Sequence, residues 1–478
     1  MRLRTVTLGC KVNRYETEYL REALRRIGYA NAAPHETADL VIINTCTVTA
    51  ESDRKSRKLI RQLAKLNPNA EIVVAGCYAA HAADEIRKMP QVGEIITDKR
   101  ALNQFLQRRG VVDLPDGISS FDGRRRAFVK VQDGCRVGCS YCIIPKVRPY
   151  LSSRSAPEIL NEIRRLLDAG YREIVLTGIH LGHYGLDFER DPQSQTEQKN
   201  LAAGNIRLSQ LIEQILNLDA ANTFRVRASS MEAAEVSDEL IELMQAFPQK
   251  FCPHLHLSMQ SGSDTVLRKM RRRWLSQPFE ERCRQIQEKI DRAALTTDAI
   301  VGFPGETERE FLETCELAER IGFSKVHVFP FSPREGVEAA TFPDQIPEPE
   351  KERRASHLIQ LAQRLRADFA KSLVGQTSQI LWETTLKKNS PQKPQPTNNT
   401  NVFLPIAGQN VSDFGFDSSM ETLAGTCGRY MRVSLQTESS HAAAQIGQLA
   451  DVSIIASHGG ELVGKMIDNT RKESKRRD

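Results

Sequence analysis

The sequence predicts an α/β protein in three parts: an N-terminal doubly wound parallel sheet, a central partial (β/α)6 barrel and a small C-terminal all-β barrel. Apolar strands alternate with helical stretches through the first two parts, which is the pattern of parallel α/β structure. From about residue 372 the pattern changes to short strands, at 379–383, 430–435 and 450–455. Five glycines punctuate that region, which is typical of a small barrel: Gly375, Gly425, Gly428, Gly447 and Gly459.

The composition is that of a soluble globular protein, with 40% hydrophobic and 26% charged residues in 478. Apolar runs are too short for a membrane span and the N-terminus is too polar for a signal peptide, so we expect a cytoplasmic protein. Thiols stay reduced in that compartment, so the ten cysteines are expected to be ligands or buried residues. The net charge of +6 is compatible with a nucleic-acid partner but does not indicate one.

Three cysteines of the first part stand directly after predicted strands. The strands are expected at 6–10, 40–46, 71–77 and 94–97, and the helices at 15–27, 51–66 and 82–88. Cys10, Cys46 and Cys77 therefore end at the carboxyl edge of the sheet, where open α/β sheets bind ligands. Three independent buried cysteines are the alternative. The repeated placement favours one site with three cysteines.

A second set of thiols lies in residues 135–142, where Cys135, Cys139 and Cys142 are spaced C-x3-C-x2-C. Three thiolates would leave one iron of a [4Fe–4S] cluster open to a reactive ligand. Gly134 and Gly138 allow the backbone to wrap around such a site. A structural zinc site or buried thiols are the alternatives, but zinc needs a fourth ligand and the next thirty residues contain neither Cys nor His.

The central part repeats the strand-then-helix order six times. Strands are expected at 127–131, 173–177, 224–228, 254–258, 297–301 and 325–329. Barrel sites lie at the C-terminal ends of the strands. The glycine, serine and polar residues that follow those ends are ordinary turn residues when taken singly; the candidates for ligand contact are Thr177, Gly178, Ser229, Ser230, Gln260, Ser261 and Gly302. None of the scattered histidines is assigned as a metal ligand.

The expected domains are 1–112, 121–345 and 372–468, with a linker helix at 346–371 and a basic tail at 469–478. Residues 113–120 have the Asp, Pro, Gly and Ser content of a linker. Residues 187–205 are predicted to be an exposed insertion, and residues 387–401 a low-complexity loop within the last domain.

The C-x3-C-x2-C window, with the aromatic Tyr141 before its last cysteine, resembles the signature of the radical S-adenosylmethionine (SAM) enzymes. The resemblance implies that its three cysteines hold a [4Fe–4S] cluster. The open iron would bind SAM, and one electron would cleave SAM to a 5′-deoxyadenosyl radical. Tyr141 and the candidate strand-end residues would contact SAM. The basic run at 268–274 is either a solvated helix face or a site for the SAM carboxylate or RNA phosphate.

The N-terminal part resembles the corresponding domain of the methylthiotransferases in three segments: LGCKVNRYE (8–16), NTC (44–46) and AGC (75–77). These radical-SAM enzymes carry two [4Fe–4S] clusters, insert sulfur into a C–H bond and methylate it. The resemblance implies that Cys10, Cys46 and Cys77 hold the auxiliary cluster. The GCKVN-x-YE segment resembles the branch that acts on N6-threonylcarbamoyladenosine in tRNA, and the C-terminal barrel resembles the RNA-binding TRAM domain.

The resemblance predicts a tRNA methylthiotransferase that acts at C2 of the modified adenosine next to the anticodon. It would need the tRNA anticodon stem-loop, SAM, an electron donor and a sulfur source, and no membrane. Two alternatives within the family are the isopentenyladenosine branch and the branch that modifies a ribosomal protein. A non-catalytic iron–sulfur RNA-binding sensor is a third alternative, which explains the cysteines but not the order of the SAM-type loops.

Overall fold

The protein is described by a computed structural model over residues 1–188, 206–386, 420–438 and 444–467. The predicted loop at 387–401 and the basic tail lie outside the described residues, as does the predicted insertion except for residues 187 and 188. Within the described ranges, no helix has the length and apolar content needed to cross a membrane.

The N-terminal part is a five-stranded parallel sheet in the order β2-β1-β3-β4-β5. Its strands are β1 (Arg2–Thr7), β2 (Ala30–Asn31), β3 (Leu40–Thr45), β4 (Glu71–Gly76) and β5 (Val92–Ile95). Its helices are Lys11–Arg26, Ala50–Leu66, Cys77–His81, Ala83–Arg87 and Leu102–Arg108, with a 3-10 turn at Lys99–Ala101. Ile42 and Val73 pack on one face of the sheet, whereas Ile43 and Val74 pack on the other. Both faces are thus covered, and the predicted doubly wound sheet is confirmed.

The central part has two parallel sheets, β10-β9-β6 and β11-β12-β13-β14, which are linked by a bridge between Val226 and Phe251. The strands are β6 (Arg126–Lys130), β7 (Gln132–Asp133), β8 (Ser152–Ser153), β9 (Glu173–Thr177), β10 (Arg225–Ala228), β11 (Ser230–Met231), β12 (His254–Leu257), β13 (Ala294–Val301) and β14 (Lys325–Pro330). The helices are Ile144–Val147, Ala156–Asp168, Leu208–Leu216, Asp238–Ala246, Asp264–Lys269, Ser276–Lys289 and Glu308–Ile321. Short 3-10 turns occur at Leu181–His183, Ala233–Glu235 and Glu338–Thr341. The predicted partial barrel is confirmed.

The two faces of strands β12 to β14 differ in character. Successive side chains of a strand point to opposite faces. Leu255, Leu295 and Ala299 belong to the apolar core that includes side chains of the surrounding helices. The alternate positions face the lumen of the barrel, and most of them are polar: His254, His256, Thr296, Asp298, Lys325 and His327.

The C-terminal part is a closed barrel in the order β15-β16-β17-β19-β18, which confirms the predicted all-β barrel. The helix Glu348–Ser372 leads into β15 (Thr377–Leu386), β16 (Glu421–Cys427), β17 (Arg432–Thr437), β18 (Leu449–His458) and β19 (Glu461–Met466). The assignment of Gly425 to a turn is wrong, because it lies inside β16. A Cβ there would press on the Leu381 carbonyl oxygen of the paired strand, so glycine permits the close approach.

Glu173, Arg225 and Arg227 connect the C-terminal barrel to the N-terminal ends of the central strands. Both guanidinium groups donate to the buried Glu173 carboxylate, at 2.8 and 2.9 Å. Arg225 also donates to the Thr426 carbonyl oxygen at 2.8 Å, and Arg227 to that of Gly428 at 2.8 Å. The C-terminal barrel therefore covers the end of the central barrel opposite the C-terminal edge of its strands.

Candidate iron–sulfur and SAM site

Cys10, Cys46 and Cys77 come together at the carboxyl edge of the N-terminal sheet. Cys46 Sγ lies 3.1 Å from where a Cβ of Gly9 would stand. Burial raises the pKa of the Cys46 thiol to about 12, and the negative charges of Cys77 and Cys10 add to that rise. Cys46 and Cys77 are buried, whereas Cys10 is exposed. The set is thus open to the surface on the side of Cys10.

Arg148 reaches the first cysteine set from the central domain. Its Nε lies 3.3 Å from Cys77 Sγ, and its Nη2 donates to Asn13 Oδ1 at 2.8 Å. Its Nη1 donates to Glu16 at 2.9 Å and to Asp133 at 2.6 Å. Burial alone would raise the pKa of Glu16, but the charges of Arg148 and of two lysines hold it well below its usual range. A buried cation and its carboxylates thus join the two domains.

The second cysteine set begins at Cys135, two residues after Asp133, which is a member of this ion network. Asp133 precedes Gly134, whose φ of +78° is in the region that favours glycine. The N–H of Cys135 donates to the backbone carbonyl of Arg148 at 3.1 Å. Arg148 therefore touches Cys77 of the first set with its side chain and Cys135 of the second set with its backbone.

The other two cysteines of this set lie beside Arg272. Arg272 Nη1 is 3.8 Å from Cys139 Sγ and 3.0 Å from a carboxylate oxygen of Glu232, and Nη2 donates to the Ser258 carbonyl at 2.9 Å. Burial raises the pKa of Cys142 to about 12, and the charges of Cys139 and Cys135 contribute. The structure brings all three thiols together.

Arg272 belongs to the basic run at 268–274, for which the sequence left two interpretations. The side chains of Arg268 and Arg271 are 63% and 58% exposed, as a solvated face requires. Arg272 is only 8% exposed and points at the cysteines. The run thus supplies one cation to the site, while Arg268 and Arg271 face solvent and Met270 is buried in an apolar cluster.

His180 and Glu235 are site residues that the sequence did not indicate. His180 Nδ1 lies 3.5 Å from Cys135 Sγ, and its Nε2 is bonded to Glu235. Burial lowers the pKa of His180, but its hydrogen bonds with Cys135 and Glu235 outweigh burial and raise it to about 9. His183 stacks on His180 with ring centroids 3.7 Å apart. Glu235 lies 55 residues from His180, so no sequence spacing marks the pair.

Among the candidate residues for SAM contact, Ser229 has a hydroxyl group that is available to form a hydrogen bond with a ligand. Its hydroxyl is buried and has no hydrogen-bond partner within the described residues. A buried hydroxyl without a partner is costly, so a ligand that bonds to it would remove the cost. Ser230 is exposed in the short strand β11. Thr177 ends β9, and Gly178 lies so close to Gln132 that a Cβ would be 2.8 Å from Gln132 Oε1.

The remaining candidates lie in supporting positions. Gln260 has φ +68° and a backbone N–H bonded to the Asp298 carbonyl at 2.9 Å, which fixes the loop to β13. Ser261 is fully buried and its hydroxyl bonds to Thr314 at 3.1 Å. Gly302 has φ +70° and lies against the side chain of Lys351. Tyr141 packs on the apolar cluster near Phe303.

Both cysteine sets fit a cluster better than a single metal ion. In neither set do all three Sγ atoms lie within 4.8 Å of one another. A tetrahedral zinc ion holds its sulfurs at about 2.3 Å and therefore needs them closer together. A [4Fe–4S] cluster spreads its ligands over separate irons, and three thiolates leave one iron for another ligand.

Replacing Gly76 by alanine is expected to displace Cys77 and to lower the iron content to that of one cluster. Gly76 has φ +102° and ψ −176°, a conformation nearly restricted to glycine that costs other residues about 1–3 kcal/mol. A Cβ would also collide with the Thr45 carbonyl oxygen. Gly28→Ala is the control, because Gly28 has φ +89° with nothing within 4 Å. Iron analysis after anaerobic reconstitution checks the prediction, which is contradicted if both variants bind equal iron.

Two known families match the chain. The Uncharacterized protein family UPF0004 matches residues 2–98, and the Radical SAM superfamily matches residues 129–318. The solved structure of the radical S-adenosylmethionine methyltransferase TsrM from Kitasatospora setae, with cobalamin and a [4Fe-4S] cluster bound, has a TM-score of 0.48 and 13% identity. The structural match covers 69% of this chain and 74% of the TsrM chain.

Curated relatives match most of the chain. The threonylcarbamoyladenosine tRNA methylthiotransferase MtaB of Bacillus subtilis is 38% identical over 399 residues, which cover 80% of this chain and 85% of the relative. The tRNA-2-methylthio-N(6)-dimethylallyladenosine synthase of Corynebacterium urealyticum is 33% identical over 406 residues, which cover 81% of this chain and 73% of the relative.

The fold and the matches define a radical-SAM enzyme, a class whose members bind a [4Fe–4S] cluster and SAM. Within that class, the chain belongs to the methylthiotransferase family. The family predicted from the cysteine segments is thus confirmed.

Proposed function

We propose that this enzyme is a tRNA methylthiotransferase that acts at C2 of N6-threonylcarbamoyladenosine next to the anticodon. This proposal rests on two sets of three cysteines that lie on facing domains and are joined by Arg148. The relative from Bacillus subtilis is named for this substrate and has the higher identity, 38% against 33% for the relative from Corynebacterium urealyticum named for dimethylallyladenosine.

Each cysteine set would hold one [4Fe–4S] cluster, with Cys135, Cys139 and Cys142 on the first and Cys10, Cys46 and Cys77 on the auxiliary one. When bound, the cluster on Cys135, Cys139 and Cys142 would supply the electron that cleaves SAM, and the auxiliary cluster would carry or donate the sulfur. A second SAM provides the methyl group, and an electron donor and a sulfur source complete the set of partners.

The chain's own residues prepare the site for these groups. Arg272 and Arg148 place positive charge beside Cys139 and Cys77. Burial raises the pKa of the Cys139 thiol, and the charge of Arg272 opposes that rise. Glu235 fixes the ring of His180 beside Cys135. The free hydroxyl of Ser229 offers a hydrogen bond to SAM.

The C-terminal barrel is proposed as a TRAM-like RNA-binding domain spanning 372–468, after the N-terminal domain (1–112), the radical-SAM domain (121–345) and the linker helix. RNA-binding proteins reach single bases where loops leave them unstacked, and the anticodon loop is such a place. The tRNA anticodon stem-loop is therefore the proposed macromolecular partner.

The substrate is tested with an anticodon stem-loop that carries threonylcarbamoyladenosine. We expect the reconstituted enzyme, given SAM, sulfide and a reductant, to form the 2-methylthio product detected by mass spectrometry of nucleosides. A stem-loop of the same sequence with dimethylallyladenosine at that position is tested separately as the alternative substrate. Product formed only from dimethylallyladenosine would move the enzyme to the other tRNA branch. No 5′-deoxyadenosine with either stem-loop would favour a non-catalytic iron–sulfur sensor.

The variant Cys46→Ala is expected to keep SAM cleavage and to lose sulfur transfer. Cys46 belongs to the auxiliary set with Cys10 and Cys77, so its loss leaves Cys135, Cys139 and Cys142 in place. We expect 5′-deoxyadenosine to form at a rate near that of the wild type. Methylthiolated product should fall by about 100-fold, the upper end of what loss of a group that only supports a metal ligand costs, because Cys46 would itself be a ligand. Cys315→Ala is the control, because Cys315 is also buried but lies in the helix Glu308–Ile321. Full methylthiolation by Cys46→Ala would rule out the auxiliary role.

A further inference from the structure

The lumen of the central barrel contains a group of polar side chains that the proposed chemistry does not use. His256, Asp298 and His327 stand on three neighbouring strands, and their ligand-capable atoms all lie within 4.8 Å of one another. His256 Nε2 is 3.3 Å from an Asp298 carboxylate oxygen, and His256 Nδ1 is 3.1 Å from the Thr296 hydroxyl. We name His256, Asp298 and His327 the lumen cluster.

The lumen cluster lies directly below the C-terminal edge of the barrel. The Asp298 carbonyl accepts a hydrogen bond from the backbone N–H of Gln260, the third residue after β12. The Asp298 side chain is 33% exposed although it stands in the middle of a strand. Phe329 follows His327 on the same face and is 36% exposed, which leaves an aromatic surface nearer the mouth. A base that stacks on such a surface can extend a substituent into the lumen.

Lys11 brings a positive charge to this place from the N-terminal domain. It follows Cys10 in the chain. Burial lowers the pKa of His327 to about 4, and the charges of Lys325 and Lys11 add to that effect. Burial would raise the pKa of Asp298, but the neighbouring imidazoles and, to a smaller extent, Lys11 lower it. Lys11 is half-buried, so its side chain is partly shielded from solvent. The lumen thus holds Lys11, the Asp298 carboxylate and the imidazoles of three histidines, and Lys325 stands on the same strand face as His327.

The charged and polar groups of the lumen favour one of the two adenosine substituents for which the relatives are named. A dimethylallyl group is a hydrocarbon, and its burial here would remove water from charged groups without replacing their hydrogen bonds. A threonylcarbamoyl group has a carboxylate, a hydroxyl and a urea N–H. The carboxylate matches Lys11, and the hydroxyl and N–H match the acceptors of the lumen cluster.

We propose that Lys11 and the lumen cluster bind the threonylcarbamoyl substituent and so determine the specificity of the enzyme for it. The inference rests on the proposed function and adds the residues that recognise the substrate. Lys11 binds the carboxylate. Asp298 and His327 bind the hydroxyl and the urea N–H. A divalent metal ion is the other ligand that two imidazoles and a carboxylate fit, but the neighbouring ammonium group repels it.

The test compares Lys11→Met and Asp298→Asn with the wild type in binding two stem-loops, one with threonylcarbamoyladenosine and one with adenosine at the same position. We expect the wild type to prefer the first, and each variant to lose about 10- to 100-fold of that preference, since a bond to a charged group is replaced. Lys11→Arg should restore most of it. Lys58→Met is the control, since Lys58 is exposed and any phosphate contact there would affect both stem-loops equally.

Each outcome has one meaning. If the wild type methylthiolates threonylcarbamoyladenosine but both variants retain its preference, the inference fails and the proposed function stands. If the wild type does not act on that substrate, the proposed function fails first. Iron content of each variant is measured as well. If Lys11→Met binds less iron than the wild type, Asp298→Asn decides the test, because Asp298 does not adjoin Cys10. A non-iron divalent ion present in the wild type and absent from Asp298→Asn would overturn the inference in favour of a metal site.

Discussion

Replacing Arg148 by methionine is expected to lower the free energy of unfolding by about 3–5 kcal/mol, the usual cost of removing one partner from a buried ion network. Methionine fills much of the space of the arginine stem but removes a buried cation that lies 2.9 Å from Glu16 and 2.6 Å from Asp133; Glu16, which is 2% exposed, keeps only its two lysine partners. The contact with Cys77 is lost as well. Because Arg148 belongs to the central domain and Glu16 to the N-terminal one, we expect the two domains to unfold separately.

Differential scanning calorimetry and iron analysis measure both effects. Wild type should show one transition for the two domains, and Arg148→Met should show two together with a lower iron content. Arg54→Met is the matched control, because Arg54 pairs with Glu51 at the surface and such pairs contribute little. A single unshifted transition with full iron loading would show that Arg148 does not join the domains.

Replacing Glu173 by glutamine is expected to detach the C-terminal barrel from the central barrel. The carboxylate is fully buried between Arg225 and Arg227, so the change leaves two buried cations without their counter-ion. The expected loss is again about 3–5 kcal/mol. Limited proteolysis after the helix Glu348–Ser372 should cut the variant faster than the wild type. Glu213→Gln, on an exposed position of the helix Leu208–Leu216, should be cut at the wild-type rate.

The same residue predicts a pH dependence. Burial alone would raise the pKa of Glu173, but the charges of Arg227 and Arg225 hold it well below its usual range. A carboxylate whose pKa is lowered by folding adds stability above its unfolded pKa of about 4.3 and loses it as the pH falls. Wild type should therefore lose stability below that pH, and Glu173→Gln should lack this part of the loss. An equal acid transition in both proteins would contradict the assignment.

The fold was largely predictable because its signals are local. Alternating apolar strands and helices indicated both parallel parts, and the structure places strands within a few residues of the predicted ones. Strands β16 and β19 were missed because Gly425 and Gly464 interrupt their apolar patterns. Those glycines lie against neighbouring strands, a contact that a single segment does not reveal.

The candidate site was only partly predictable, for a related reason. Cysteine spacing indicates possible metal ligands, and predicted strand ends indicate which residues lie at the carboxyl edge of a parallel sheet. Arg148 and Glu16 are 132 residues apart, so no local pattern connects them. His180 and Asp298 look like ordinary residues of a loop and a strand until folding places them beside Cys135 and His256. Ion pairs and hydrogen bonds between distant segments are tertiary properties, which single-sequence patterns do not encode.

The position of the C-terminal barrel has a consequence for how RNA would be read. It is attached at Glu173, the first residue of β9, whereas the cysteines and strand-end loops lie beyond Thr177, the last. A five-residue strand separates these levels by about 16 Å. As the proposed RNA-binding domain, the barrel would bind the stem of the anticodon stem-loop at a distance from the base that reacts. Choosing the tRNA and choosing the atom would then be separate steps, so changes in one could alter which tRNAs are modified without altering the chemistry.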